Sequence, residues 1–194
     1  MIKVFKNFLS SNKADIIEKD LLGPNFEWYW NETTSHKGEE LKFKTKNTRD
    51  TGQFIHKIMM TDFESRLYEG FKKVFDKISY HNMVRIKCNL NLNVTGYKKT
   101  YHQPIHSDVD EKGYKSLIYY INDSDGDTIF FDKNLKQIKR VKPKKNTAVM
   151  FDSNLLHCGS NPIKSNKRAV INFIFKRQSQ INGLMIMILI LPYR

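Results

Sequence analysis

Cysteine and arginine are scarce in this 194-residue chain, and long hydrophobic runs are missing from it. Two cysteines, Cys88 and Cys158, cannot build a disulfide framework, which favours a reducing compartment. No apolar run reaches the roughly 18 residues that a membrane-spanning helix needs. The first residues lack the apolar core and cleavage site of a signal peptide. These absences predict a cytoplasmic globular protein that does not enter a membrane.

The positive charge of the chain is carried by lysine. The formal net charge is +13, with 26 Lys and only 7 Arg. Proteins that bind phosphate groups usually rely on the bidentate guanidinium of arginine, so the excess of lysine is a weak indication of nucleic-acid binding. The densest basic run covers residues 133–145 and contains no acidic residue. We interpret it as the solvated face of a strand or hairpin, with a surface for an acidic partner as the alternative.

The first 82 residues predict helices and a long loop. Apolar residues recur at helical spacing over about 11–22, after an N-cap at Ser10 or Ser11, and over about 62–78. The polar segment 33–52 reads as a surface loop that could border a site. The remaining elements are a short strand at 2–5 and a strand or loop at 26–30.

From residue 83 onward the pattern changes to short β-like runs separated by turn residues. The six predicted strands cover 84–94, 115–122, 127–132, 137–141, 147–152 and 168–176. Two helices followed by six strands predict a mainly β fold, a sandwich or jelly roll backed by helices. We expect one domain over 1–180, with helical support over 1–82 and the β core over 83–176. The apolar tail over 181–194 has no assigned role.

The last strand shows two different faces. One face is fully apolar and the other is mixed. This alternation predicts a sheet that is covered by helices on one side and lines a polar cavity on the other. The apolar face consists of Ala169, Ile171, Phe173 and Phe175, and the mixed face of Arg168, Val170 and Asn172.

A possible metal site begins at His106 and Asp108. On a strand these two side chains point to the same side, and together they form one edge of the two-His-one-carboxylate triad that holds Fe(II). His157, after an apolar strand and a short loop, could supply the second imidazole. Arg168 opens the last strand, where a buried guanidinium requires an anionic partner. For each residue alone the alternative is structural: a loop histidine for His157 and a surface strand end for Arg168.

Five segments occur in the order found in the iron(II)/2-oxoglutarate-dependent oxygenases. The segments are His106-x-Asp108, 116–122 (SLIYYIN), 126–131 (GDTIFF), 143–157 and 168–173 (RAVINF). The chain resembles that superfamily, and within it the prolyl 4-hydroxylase-like branch. The resemblance implies a double-stranded β-helix, a form of jelly roll. It further implies that His106, Asp108 and His157 bind the iron and that Arg168, helped by Tyr120, binds the distal carboxylate of 2-oxoglutarate.

Three departures from the family pattern stand beside this resemblance. Gly126 and Asp127 occupy the place of the usual Gly-Gly pair. The tyrosine often found upstream of the H-x-D motif could be Tyr97 or Tyr101, and neither is assigned. Asp110 would share a strand face with Asp108, and we rank it behind Asp108 as the metal ligand.

The resemblance also implies an activity. Fe(II), 2-oxoglutarate and O2 would be required, with ascorbate as an optional cofactor. The expected reaction hydroxylates a C–H bond, most readily on a protein or peptide side chain such as proline, while 2-oxoglutarate is decarboxylated to succinate. A small-molecule substrate is the variant of this hypothesis. The segments 33–52 and 98–105 would border the entrance of the active site and set its substrate specificity.

Two other functions remain as alternatives. One is a nucleic-acid oxidative demethylase of the alkylation-repair type, which the positive charge favours. That branch usually carries a second arginine six residues after the first, where this chain has Ile174. The other alternative is a non-catalytic, cupin-like binding module.

Overall fold

The computed structural model describes residues 1–34, 42–75 and 82–176. The apolar tail and the end of the second predicted helix lie outside these residues. The described elements, in chain order, are β1 (Lys3–Phe5), α1 (Ser11–Leu21), β2 (Tyr29–Asn31), β3 (Gln53–Met60), β4 (Phe63–Glu64), α2 (Tyr68–Val74), β5 (Asn82–Leu92), β6 (Tyr114–Tyr120), β7 (Thr128–Phe131), β8 (Gln137–Val141), β9 (Thr147–Asp152), β10 (His157–Gly159) and β11 (Lys167–Lys176).

Two antiparallel sheets form the body of the fold. The larger sheet has the strand order β1-β9-β6-β11-β5-β3-β2, with β4 paired to β3. The smaller sheet has the order β10-β7-β8. Neighbouring strands are distant in sequence, since β11 lies between β5 and β6, and this crossing of connections between layers is the jelly-roll arrangement. The predicted mainly β fold with flanking helices is confirmed.

Helix α1 forms where the sequence predicts it. The Lys13 N–H donates to Ser10 Oγ at 3.4 Å, so Ser10 is the N-cap. Ala14, Ile17 and Leu21 are buried along one face. This face covers the apolar side of the larger sheet.

The second predicted helix is wrong in its extent. Helix α2 covers only Tyr68–Val74, and the segment before it is a strand hairpin in which Phe63 pairs with Met60. Phe63 is 49% exposed and Leu67 is 41% exposed, so neither belongs to a buried helical face. Strand β3, which the sequence analysis does not predict, extends this hairpin along β5. Pairing with β5 decides the structure of this segment, and the local apolar spacing does not.

The main core lies between the helices and the larger sheet. The apolar face of β11 is buried there, as predicted, and its Phe173 ring lies 4.6 Å from the ring of Phe75. A second cluster between the two sheets contains Tyr120, Phe130 and Phe151. The mixed face of β11 is turned toward this inner side, where Arg168 and Asn172 line a polar cleft. The prediction of a two-faced last strand is therefore confirmed.

We expect Phe173→Ala to lower the free energy of unfolding by about 3–5 kcal/mol, because it removes a fully buried ring and leaves a cavity. For a chain of this size the melting temperature should fall by about 10 °C or more. Thermal unfolding followed by circular dichroism measures the change. Phe63→Ala is the matched control, since its half-exposed ring predicts a change within about 0.5 kcal/mol. Equal losses in the two variants would contradict this account of the core.

The basic run over 133–145 forms a strand and its flanking turns, with β8 at the predicted position. Part of its charge is neutralised within the chain. Arg140 pairs with Asp127 at 3.4 Å, Lys144 with Asp123 at 2.8 Å, and Lys145 with Asp15 and Glu18. Binding of a partner by this run stays a prediction.

None of the helices in the described segments is long and apolar enough to cross a membrane. The domain bounds given above and the cytoplasmic location stay predictions.

Candidate active site

A polar cleft separates the two sheets. Strands β5, β6 and β11 of the larger sheet form one wall, and β10 of the smaller sheet forms the other. Thr34 from the predicted border segment 33–52 and Gln103 from the segment 98–105 line it, while residues 35–41 lie outside the described residues.

Three predicted ligands meet in this cleft. One ligand atom from each of His106, Asp108 and His157 lies within 4.8 Å of the other two. His157 Nε2 is 3.6 Å from Asp108 Oδ2. The backbones of the two histidines are paired. The His106 N–H donates to the His157 carbonyl at 3.0 Å, and the His157 N–H donates to the His106 carbonyl at 2.9 Å. Strand pairing thus joins residues that are remote in sequence.

Both imidazoles present the same nitrogen to the centre of this cluster. His106 Nδ1 donates to the Pro104 carbonyl at 3.1 Å, and His157 Nδ1 donates to the Leu155 carbonyl at 2.9 Å. Since a carbonyl only accepts, the proton of each neutral ring resides on Nδ1 and the Nε2 lone pair is free. Burial, followed by the neighbouring His157, lowers the pKa of His106 to about 4. The neutral imidazole is the form that binds metal.

The Asp108 carboxylate is buried and ionised. Arg85 Nη2 donates to Oδ1 at 2.6 Å, and the Ser116 hydroxyl donates to Oδ2 at 2.6 Å. Burial alone would raise the pKa of Asp108, but Arg85, the two imidazoles and the Ser116 bond hold it well below its usual range. Each oxygen accepts one of these short bonds and keeps a lone pair for a further partner.

A second set of polar side chains surrounds Arg168, which is 4% exposed. Its Nε donates to the Gly126 carbonyl at 2.8 Å and its Nη2 to Thr128 Oγ1 at 2.8 Å. The Tyr120 hydroxyl donates to the same Thr128 oxygen at 2.8 Å. The structure therefore brings Tyr120 and Arg168 together, as the sequence predicts. Thr128, which joins them, is a residue that the sequence analysis misses.

Close packing explains why only the first position of the usual Gly-Gly pair is glycine here. A Cβ atom at Gly126 would lie 2.5 Å from the Ser160 carbonyl oxygen and 3.0 Å from Arg168 Cδ. At the next position the side chain of Asp127 has room and pairs with Arg140 at 3.4 Å. Gly126 lets the backbone approach the Arg168 side chain, whereas position 127 has no such requirement.

Three further residues near the H-x-D motif, Asp110, Tyr97 and Tyr101, were left open as site residues. Asp110 accepts a hydrogen bond from Ser107 at 2.5 Å, is exposed and lies outside the ligand cluster. Tyr97 is buried and its ring meets Tyr101 edge to face at 5.7 Å. Neither tyrosine lines the cleft.

Strand β5 contributes a row of polar side chains that the sequence analysis does not single out. Every second residue faces the cleft: Arg85, Lys87, Asn89 and Asn91. The residues between them are apolar and face the core. This strict alternation is visible in the sequence and would have identified the row as the lining of a polar cavity.

The comparisons with known proteins agree with this geometry. Residues 92–176 match the family model of the 2OG-Fe(II) oxygenase superfamily, a range that contains all five predicted site residues. By sequence, no curated protein matches the chain.

Three solved structures illustrate the similarity of fold. A Pseudomonas putida prolyl-4-hydroxylase has a TM-score of 0.55 at 14% identity, with 91% of this chain and 92% of that chain covered. A Trichoplax adhaerens prolyl hydroxylase, solved with a peptide fragment of hypoxia inducible factor, has a TM-score of 0.58 at 13% identity over 90% and 83%. The viral collagen prolyl hydroxylase of Paramecium Bursaria Chlorella virus-1, in complex with 2OG, has a TM-score of 0.51 at 17% identity over 91% and 96%.

At these identities the three likenesses show the fold. The family model matches on sequence, and enzymes of its class use Fe(II), 2-oxoglutarate and O2. The matched segment is a little under half of the chain, and together with the His-Asp-His cluster in the cleft this match supports an enzyme of the 2-oxoglutarate-dependent Fe(II) class.

Proposed function

We propose that this enzyme hydroxylates a C–H bond of a protein or peptide side chain, in the manner of a prolyl hydroxylase. In this proposal His106, Asp108 and His157 hold Fe(II), and Arg168 and Tyr120 bind 2-oxoglutarate. The observation that carries it is the cluster of two imidazoles and one carboxylate, in which one ligand atom of each residue lies within 4.8 Å of the other two.

The donor set fits the metal. Two imidazoles and one carboxylate on one face are the ligands of non-haem Fe(II) oxygenases, and they leave the opposite positions open. The hydrogen bonds of Nδ1 to the Pro104 and Leu155 carbonyls fix both rings in the orientation that binding requires. Arg85 and Ser116 fix the carboxylate in the same way.

The anion site fits the cosubstrate. Arg168 Nη1 donates to no residue in the described segments. The acceptors of the other guanidinium bonds there are a carbonyl and a hydroxyl, and none is a carboxylate. The distal carboxylate of 2-oxoglutarate would supply this missing partner. Burial, opposed by Arg168, raises the pKa of Tyr120 to about 12, so its hydroxyl stays protonated. Its one proton, donated to Thr128 Oγ1 in this structure, would turn to the carboxylate when 2-oxoglutarate binds.

The residues of the chain bind and orient the reactants. Arg168 and Tyr120 would hold one end of 2-oxoglutarate, so that its keto-acid end points toward the His-Asp-His cluster. When bound, Fe(II) and 2-oxoglutarate reduce O2, placing one oxygen atom in the substrate C–H bond and the other in succinate, with loss of CO2. The sheets exclude bulk water from the buried part of the cleft.

The structures of prolyl hydroxylases support the peptide part of the proposal, since one of them was solved with a peptide fragment. The nucleic-acid alternative gains no support from the site. The position six residues after Arg168 holds Ile174, which is 1% exposed.

A coupled assay tests the proposal. Purified protein with Fe(II), 2-oxoglutarate and air should form succinate, and a library of proline-containing peptides should yield products heavier by one oxygen atom. His157→Ala should abolish both signals. Oxidation of methylated single-stranded DNA with no peptide oxidation would overturn the choice of substrate. An absence of succinate from the wild type would overturn the proposed function.

We expect Tyr120→Phe to raise the KM for 2-oxoglutarate roughly tenfold or more with little change in kcat, because a hydrogen bond from a hydroxyl to a carboxylate is worth about 1.5 kcal/mol or more. The Arg168 bond to Thr128 keeps the local packing in place. Steady-state kinetics with varied 2-oxoglutarate measures the effect. Tyr29→Phe, at an exposed hydroxyl that binds Glu27, is the matched control. An unchanged KM in Tyr120→Phe would remove Tyr120 from the cosubstrate site.

A further inference from the structure

Strand β5 places four polar side chains in the cleft, which are Arg85, Lys87, Asn89 and Asn91. Arg85 is paired with Asp108 at 2.6 Å. Asn91 lies directly across from Arg168 in the β5–β11 pairing, at the end of the cleft where 2-oxoglutarate would bind. Lys87 and Asn89 lie between these positions and have no role in the site described so far.

Lys87 forms no ion pair with a carboxylate of the described residues. It lines the cleft and makes no hydrogen bond or ion pair with any residue in the described segments. Directly across from it on β3 is Lys57, another lysine without an ion pair in those segments. Like charges at such a cross-strand position destabilise a sheet. Burial and the charge of Arg85, with a smaller contribution from Lys57, lower the pKa of Lys87 to about 7 although Asp108 opposes them.

The net charge of the cleft with Fe(II) and 2-oxoglutarate bound would also favour a negatively charged substrate. Three cationic side chains and one carboxylate line the cleft. Fe(II) and the 2-oxoglutarate dianion carry equal and opposite charges, so they leave this balance unchanged. Arg85 offsets Asp108, which leaves Arg168 and Lys87 in excess. A bound substrate with a negative group would reduce that excess.

Two buried acceptors beside Lys87 also have no donor. Asn89 Oδ1 and Asn172 Oδ1 are without a hydrogen-bond partner within the described part of the chain, and Asn172 lies directly across from Lys87 on β11. Such acceptors need N–H donors when a ligand excludes water. A peptide offers backbone N–H groups, and an acidic side chain or neighbour adds the carboxylate.

We propose that Lys87 and Asn89 form a substrate subsite for an acidic peptide, with Lys87 binding a carboxylate on the oxidised residue or on its neighbour. Asn89 and Asn172 accept hydrogen bonds from the peptide. This inference rests on the proposed function, because it takes the oxidised carbon to lie beside the His-Asp-His cluster.

The test measures binding, separately from turnover. Two hexapeptide libraries, with capped ends and identical except for Glu or Gln at one fixed position, are selected on protein loaded with Mn(II) and 2-oxoglutarate. Selected peptides are then titrated by fluorescence anisotropy. We expect the Glu peptides to bind the wild type at least tenfold more tightly than their Gln counterparts, since the bond to Lys87 is charge-assisted.

Substitutions assign this preference to a residue. Lys87→Met should abolish it and Lys87→Arg should retain it, while Lys136→Met, at an exposed lysine of the β7–β8 turn, should leave it unchanged. Removing the unpaired Lys87 charge should not lower the melting temperature, so loss of folding does not obscure the result.

Two outcomes of the peptide experiment overturn the inference. One is equal binding of the Glu and Gln libraries, and the other is a preference that survives in Lys87→Met. Tighter, Lys87-dependent binding of a single-stranded oligothymidylate would assign the subsite to nucleic acid and would also overturn it. A wild type that shows the preference on Mn(II) but forms no succinate with Fe(II) would refute the proposed function and leave the binding result intact.

Discussion

Replacing Asp108 by alanine is expected to lower turnover by about 1000-fold or more and to weaken Fe(II) binding by a similar factor. The substitution removes the only carboxylate among the three candidate ligands. Since each factor of ten corresponds to about 1.4 kcal/mol, this prediction assigns about 4 kcal/mol to one charged ligand. Succinate formation measures turnover, and calorimetric titration with Fe(II) under nitrogen measures the affinity.

The same substitution should also destabilise the metal-free protein. The side chains of Arg85 and Asp108 are 13% and 1% exposed, so Asp108→Ala leaves a largely buried guanidinium without its partner. Breaking a buried pair from one side costs about 3–5 kcal/mol. The double variant Asp108→Ala/Arg85→Met should recover most of this stability while metal binding stays lost. Stability and metal binding are thereby separated.

Asp110→Ala is the matched control for Asp108. It removes a carboxylate two residues away that is exposed and, among the described residues, bonded to Ser107. Metal affinity, turnover and stability should all stay close to those of the wild type. If Asp108→Ala bound Fe(II) as tightly as Asp110→Ala, the proposed ligand set would be wrong.

Replacing Arg168 by methionine is expected to raise the KM for 2-oxoglutarate about 30- to 150-fold. The guanidinium is the charged group proposed to bind the distal carboxylate, and a charge-assisted pair of this kind is worth about 2–3 kcal/mol. Fe(II) affinity in the absence of 2-oxoglutarate should change little, because Arg168 is not part of the ligand cluster. Arg168→Lys should recover part of the lost affinity, since it keeps the charge and loses the bidentate geometry.

Kinetics with varied 2-oxoglutarate and calorimetric titration of the Mn(II) protein measure this effect. Arg66→Met, at an exposed arginine outside the cleft, is the control. A KM in Arg168→Met within twofold of the wild-type value would place the distal carboxylate elsewhere. Thermal unfolding of both variants identifies any part of the change that comes from lost packing around Gly126 and Thr128.

Local sequence patterns predict the elements that have a regular and self-contained signal. The N-cap at Ser10 and the apolar face of α1 locate that helix within one residue at its C-terminal end. Strands β8 and β9 match their predicted bounds because turn residues flank both of them. The contrast between a fully apolar face and a mixed face of β11 separates its core side from its cleft side. In each case the deciding interactions lie within a few residues of one another.

Elements determined by distant pairing are not predictable in this way. The residues of β3 carry no strong alternation, and their strand exists because β5 lies beside them. Phe63 and Leu67 fit a helical stripe in the sequence but are largely exposed in the fold. Short apolar segments satisfy either periodicity, and the tertiary partner decides between them.

The candidate site was predictable where a family pattern exists and incomplete elsewhere. His106, Asp108 and His157 meet in the cleft, and Arg168 and Tyr120 meet at Thr128, while their roles stay predictions. Arg85 and Thr128, which hold Asp108 and Arg168 in position, were missed. Their partners are remote in sequence, so only the folded chain shows which polar groups meet.

Anaerobic titration of the purified protein with Fe(II) and 2-oxoglutarate tests the central claim most directly. Chelation of the metal by the keto acid produces a metal-to-ligand charge-transfer band in the visible spectrum. We predict a band that saturates at one equivalent of each in the wild type, is absent in His106→Ala, and disappears when air is admitted as succinate forms. A wild-type protein that shows no band anaerobically and forms no succinate in air would contradict the account.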